Sequence, residues 1–95
     1  ETALHVAAAQ GHLPLVAYLV AVAQTPVDVE DGRGTTPLMR AVQGGHDAIV
    51  AYLLDHGARL EARDRAGETA LHKAVTAQQV AVVDQLLRRG ADLHA

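Results

Sequence analysis

Thr36-Pro37-Leu38-Met39-Arg40-Ala41-Val42-Gln43-Gly44-Gly45-His46 is the stretch whose reading decides the fold. Its pattern returns on both sides. Thr2-Ala3-Leu4-His5 begins a copy 34 residues earlier, and Thr69-Ala70-Leu71-His72 begins one 33 residues later. Repetition at a period in this range marks stacked supersecondary units rather than one irregular core. The function classes narrow accordingly, toward a surface that binds something.

The apolar columns of the three copies align when each is counted from its threonine. Leu4, Leu38 and Leu71 follow two residues on, and Ala7, Ala41 and Ala74 five residues on. That i, i+3 spacing fits a short first helix, and the small alanine lets two helix axes approach toward the low end of about 8–10 Å. Further along come Leu15, Ile49 and Val82, then Val16, Val50 and Val83, then Leu19, Leu53 and Leu86. Their i, i+1, i+4 spacing fits one face of a second helix. Gly11 and Gly45 fall between the paired helices, where a helix end favours positive φ. Gly57-Ala58 and Gly90-Ala91 end the second helix in the same way. Asp31-Gly32-Arg33-Gly34 and Asp64-Arg65-Ala66-Gly67 read as tight turns, each followed by a threonine suited to cap the next helix. Pro37 stands at a first helical position, where its missing N–H costs nothing.

With these residues aligned, the chain resembles the ankyrin-repeat family. The resemblance rests on Thr36-Pro37-Leu38, Leu71-His72, Gly11-His12, Gly45-His46, Leu53-Leu54, Gly57-Ala58, Gly90-Ala91-Asp92 and the Asp64-x-x-Gly67-x-Thr69 turn, and it covers essentially the whole chain. It implies an all-α solenoid of stacked helix-turn-helix pairs joined by outward-pointing β-hairpin-like loops. It also implies a concave face made of loops and first helices. The expected units run over about 1–33, 34–66 and 67–95 of one repeat segment. Both ends fall inside the repeat pattern without a polar cap, so the segment is expected to belong to a longer protein. Family members are often hydroxylated at an asparagine in the loop after Gly-Ala. The matching positions here hold Glu61 and His94, so that modification is not expected.

Composition bounds the alternatives. The chain has 95 residues, 49% of them hydrophobic, and contains no Cys, Phe or Trp. Its core must be aliphatic, and neither a disulfide nor a thiolate metal site can form. The absence of Cys fits an intracellular setting, cytoplasmic or nuclear. The formal charge is −3 with both signs mixed, which argues against a direct nucleic-acid surface. No apolar run reaches about 18 residues, so membrane insertion is not expected. Leu13 to Val22 is apolar but is broken by Pro14 and lacks a basic leader, and reads as a second repeat helix.

Catalytic chemistry finds no foothold. Ser and Cys are both absent, and no glycine-rich phosphate loop or His-Glu-x-x-His pattern occurs. His5 and His72 hold equivalent positions two repeats apart, roughly 20 Å at usual helix spacing, too far for one metal ion. The resemblance implies hydrogen-bonding roles for them and for His12 and His46. No catalytic residue, cofactor or metal site is assigned.

The copies differ in ways that stacking does not demand. Repeat 1 carries an extra residue around Ala23-Gln24-Thr25-Pro26, either a tolerated loop insertion or a reshaped edge of the binding face. Gln78-Gln79 replaces Gly-His in repeat 3. Tyr18 and Tyr52 share a column and read as half-buried helix residues or as binding anchors. Val6, Arg40 and Lys73 share the column that the resemblance turns toward the concave side. Arg40, Arg63, Arg65 and Lys73 would gather at one end of the face, opposite Asp28, Glu30 and Asp31. The groove would then be bipolar and its basic end would receive an acidic or C-terminal peptide segment; a solvated mixed face is the alternative.

The chain therefore reads as a non-enzymatic protein-interaction module binding a protein or peptide through its concave face. The expected partner-binding residues are Gly32, Arg33, Thr35, Met39, Arg40 and Gln43 from repeat 2. From repeat 3 they are Arg65, Ala66, Glu68, Lys73, Thr76 and Ala77. Two rival classes are end-to-end self-association through exposed repeat faces, and recruitment of substrate for a larger enzyme or regulator.

Overall fold

A computed structural model describes residues 2–91. Leu93 and His94, which the repeat pattern places in the third loop, lie outside the described residues, as does Asp92. Among the described residues six α-helices form three pairs: α1 (Ala3–Gln10) with α2 (Leu13–Ala17), α3 (Pro37–Gln43) with α4 (Asp47–Asp55), and α5 (Ala70–Thr76) with α6 (Val80–Arg88). First helices stack on first helices and second on second, α1 on α3 on α5 and α2 on α4 on α6. No strand occurs among the described residues, and the loops are turns.

Each first helix starts in the same way. The hydroxyls of Thr2, Thr36 and Thr69 accept from the backbone N–H three residues on, and the side chain at that later position accepts from the threonine N–H. This reciprocal capping box satisfies two of the amides a helix start leaves unpaired. His5 and His72 fill the acceptor role in repeats 1 and 3. Met39 fills it in repeat 2, its thioether 3.5 Å from Thr36 N. His5 also crosses the seam between repeats. Its Nε2 donates to the Thr35 carbonyl at 2.6 Å while its Nδ1 accepts from Thr2, which fixes the Nε2–H tautomer.

Stacking buries most of the aliphatic columns, and the middle repeat's in full. Leu4, Leu38 and Leu71 line the first-helix layer; Val16, Val50, Leu53 and Leu86 line the second. The outer copies show what neighbours do. Ile49 and Val82 are 2% and 1% exposed, whereas Leu15 in the same column is 46% exposed, because no element of the described chain packs on that side. Tyr18 is likewise 56% exposed, not half-buried, while Tyr52 is half-buried with its hydroxyl toward the Ala17 carbonyl.

Two backbone details separate the copies. The extra residue of repeat 1 sits inside the second helix rather than in the loop after it. Tyr18–Val22 is one π-helical stretch, with Ala23 N–H bonded to Tyr18 C=O. The closing bond of that helix, Thr25 N–H to Leu19 C=O, spans one residue more than its counterpart from Ala58 to Leu53. In repeat 3, Gln78 holds φ 57°, the conformation Gly11 and Gly45 take at φ 79° and 72°. Left-handed backbone costs a residue with a Cβ on the order of 1–2 kcal/mol.

Gly45 is constrained twice, by its φ and by the Gln79 amide. A Cβ there would lie 2.5 Å from Gln79 Oε1, whose Nε2 bonds the Gln43 carbonyl across the seam. Gly45→Ala should therefore lower stability by about 1–2 kcal/mol in urea unfolding, and Gln78→Gly should raise it by up to about 1 kcal/mol.

Candidate partner-binding groove

The turns that join the repeats are built around an aspartate. Asp31 Oδ1 accepts from the N–H groups of Arg33 (2.8 Å) and Thr35 (3.0 Å). Asp64 Oδ1 accepts from Ala66 and Glu68, both at 2.9 Å. Gly34 and Gly67 close these turns at φ 75° and 80°. The two turns are tied to each other by Arg65 N–H donating to Arg33 C=O at 3.0 Å.

The second carboxylate oxygen of each aspartate reaches the following helix. Asp31 Oδ2 lies 3.4 Å from Arg40 Nη2, and Asp64 Oδ2 lies 2.7 Å from Lys73 Nζ. Lys73 also pairs with Glu68 at 3.2 Å, and its side chain is only 9% exposed. Asp and cation thus recur nine residues apart in repeats 2 and 3, as a strut between turn and helix. The Arg33 amide, helped by Thr35 and by nearby Arg40, holds the Asp31 carboxyl below its usual range. The Lys73 hydrogen bond does the same for Asp64. Burial pulls the Lys73 ammonium down, but its bonds to Asp64 and Glu68 outweigh that and hold it above the usual range.

Between the turns and the first helices lies a groove of about 440 Å³. It brings together eight of the twelve expected residues: Gly32, Arg33, Thr35, Arg40, Gln43, Arg65, Ala66 and Lys73, with Asp64 added by the structure. Glu68 and Thr76 line a neighbouring hollow with Leu71, His72 and Val75. Ala77 is half-buried at the end of α5.

One expected residue needs correction. Met39 is 1% exposed, because it replaces the capping-box histidine, and it offers no surface to a partner. Thr35 lines the groove as expected though only 6% of it is exposed, and its backbone already bonds His5 and Asp31. The cationic cluster is also reorganised. Arg63 donates to the Gly67 carbonyl instead of lining the groove, and Arg40 and Lys73 are paired to turn aspartates. Sequence reading had missed the struts, although Asp31 with Arg40 and Asp64 with Lys73 recur at one spacing. The histidine columns hold hydrogen bonds: His46 Nε2 donates to Ala9 C=O at 3.0 Å, as His5 does to Thr35. Among the described residues, no group of three or more His, Asp or Glu stands close enough to hold a metal ion.

A family profile described as ankyrin repeats, in three copies, matches residues 4–95. The chain belongs to the ankyrin-repeat family. Among curated proteins it is similar to the mitochondrial liver isoform of glutaminase from Rattus norvegicus, 44% identical over 56 residues, which are 59% of this chain and 9% of the glutaminase. It is also 40% identical over 57 residues to alpha-latrotoxin-Lh1a of Latrodectus hasselti, covering 60% of this chain and 4% of the toxin. Among solved structures, it is similar to one chain of the complex between the Bd0816 predatory endopeptidase from Bdellovibrio bacteriovorus and the immunity protein Bd3460. The TM-score is 0.92 with 40% identity, over 98% of this chain and 48% of that one. This ankyrin segment therefore spans a small fraction of the curated relatives and about half of the structural one. Among the described residues no helix is long and apolar enough to cross a membrane.

The struts make a pH prediction. The carboxyls of Asp31 and Asp64 titrate lower when folded, so their contribution is full above the unfolded value of about 3.9. It is lost as pH falls through their folded values. Stability from urea unfolding should decline below about pH 4, and Asp64→Asn should lower stability at pH 7 while flattening that decline.

Proposed function

We propose that this chain binds a protein partner along the face formed by its turns and first helices, centred on the groove between turns 31–35 and 64–68. Ankyrin repeats are protein–protein interaction modules, and the family match covers nearly the whole chain. The observation that carries the finer reading is who lines the groove. Arg33, Gln43, Arg65 and Ala66 are exposed there, and none is used by the core columns or the capping boxes. A similar chain in a complex of an endopeptidase with an immunity protein is consistent with such a role.

The struts support the reading from another side. They fix each turn to its helix, so the groove is shaped before a partner arrives. Preformed binding surfaces lose less ordering entropy on association. With the groove rigid, partner choice falls to the exposed residues at its rim and floor.

End-to-end self-association is a second reading, favoured by the exposed Leu15 and Val75. Their counterparts Ile49 and Val82, and Ala8 and Val42, are buried at the internal seams. Light scattering across a concentration series separates it from the first.

The groove reading is tested by affinity capture with the wild-type chain and with Gln43→Glu/Ala66→Glu, read by mass spectrometry. The variant should keep the wild-type circular dichroism and lose the specific partners by tenfold or more, on the order of one hot-spot contact or greater. Retained partners, together with their loss from Ala48→Arg on the outer face of α4, would place the binding surface elsewhere.

A further inference from the structure

Arg33 and Arg65 are the two groove cations that the struts leave aside. The bond from Arg65 N–H to Arg33 C=O, 3.0 Å long, sets the two turn tips side by side. Bonded backbones of this kind stand about 5–6 Å apart at Cα. Both arginines are exposed and both line the groove. Among the described residues neither guanidinium has an ion-pair or hydrogen-bond partner. The nearest groove carboxylate, Asp64, is already taken by Lys73 and by the amides of its own turn.

The repeat scaffold does not require either one. Counted back from the capping threonines, the column of Arg33 holds Ala66 in repeat 3, and the column of Arg65 holds Gly32 in repeat 2. Each tip therefore carries one arginine and one small residue, and Gly32 and Ala66 keep the space between open. A net negative chain, at −3, places two cations outside any ion pair at its groove rim.

We propose that Arg33 and Arg65 form a paired anion seat for an extended acidic segment of the partner protein, whose carboxylates stand at positions i and i+2. Same-side residues of an extended chain recur about every 6.6 Å, a spacing that two long arginine side chains rising from adjacent tips can span. A planar guanidinium takes a carboxylate through two parallel N–H bonds, and such bonds are stronger than neutral ones. Arg40 and Lys73 are positioning residues here: by holding Asp31 and Asp64 they hold the tips. The inference rests on the groove as the partner site and adds the chemistry of what enters it.

The test is an NMR titration of the 15N-labelled chain with the capped peptide Ac-Ala-Glu-Ala-Glu-Ala-NH2. Its Gln analogue and a phosphoserine analogue serve as comparison arms. The Glu peptide should shift the amides of Arg33, Thr35, Arg65 and Ala66, and the Gln peptide should not. Arg33→Ala/Arg65→Ala should weaken binding by about tenfold or more with an unchanged thermal melt, and Arg59→Ala, an exposed arginine outside the groove, should not. Raising salt to about 0.5 M should weaken the wild type strongly and the double variant little. Absence of shifts at the tips, equal binding of the Gln peptide, or preference for the phosphoserine peptide would each overturn the carboxylate assignment. The two readings separate: partners captured by the wild type that are lost from Gln43→Glu/Ala66→Glu but kept by Arg33→Ala/Arg65→Ala would leave the groove reading standing and overturn this one.

Discussion

No helix pair in this chain can cover its own apolar face, and the whole structure depends on that constraint. Ile49 and Val82 are buried only because the preceding repeat lies against them; Leu15, the same position without a neighbour, stands nearly half exposed. Apolar burial of this kind supplies the drive for stacking, at about 25 cal/mol per Å². It does not set the register. Side chains that bond carbonyls across the seams do: His5 to Thr35, His46 to Ala9, and Gln79 to Gln43. Sliding the repeats past one another would break all three and leave the buried Thr35 and half-buried Ala9 carbonyls unpaired.

The register in turn builds the groove. It brings turn 64–68 beside turn 31–35 closely enough for a backbone bond between them, and it aligns Arg40 with Lys73. Those two cations then serve the scaffold, through Asp31 and Asp64, rather than the partner. A charge held 2.7 Å from a carboxylate and screened from water presents little field to an approaching molecule. On the proposed reading, the exposed arginines at the tips carry that role instead. Scaffold and recognition are thus divided between neighbouring residues of one sign.

Much of the fold was legible in the sequence because its determinants repeat. Thr2, Thr36 and Thr69 announced the helix starts, the leucine and alanine columns announced the buried faces, and Gly11 and Gly45 announced the positive-φ corners. The groove was legible in part, since the columns that fail to repeat mark residues the scaffold does not need. Three things were hidden. Met39 broke the histidine column yet kept its structural role, because a thioether is also a weak acceptor. The extra residue of repeat 1 was absorbed as a π-helical stretch, and residue counting locates an insertion without saying how the backbone accommodates it. The pairing of Arg40 and Lys73 depends on the fold bringing a turn aspartate back onto the helix nine residues later, which charge counting alone does not reveal.

The central claim is that the partner lies along the turns and first helices, over Gln43 rather than over the outer surface of the second helices. Photo-crosslinking with a benzophenone amino acid tests it most directly, placed at Gln43 in the groove or at Ala48 on α4, both exposed. The account predicts partner adducts from position 43 and none above background from position 48. Adducts from position 48 alone would contradict it.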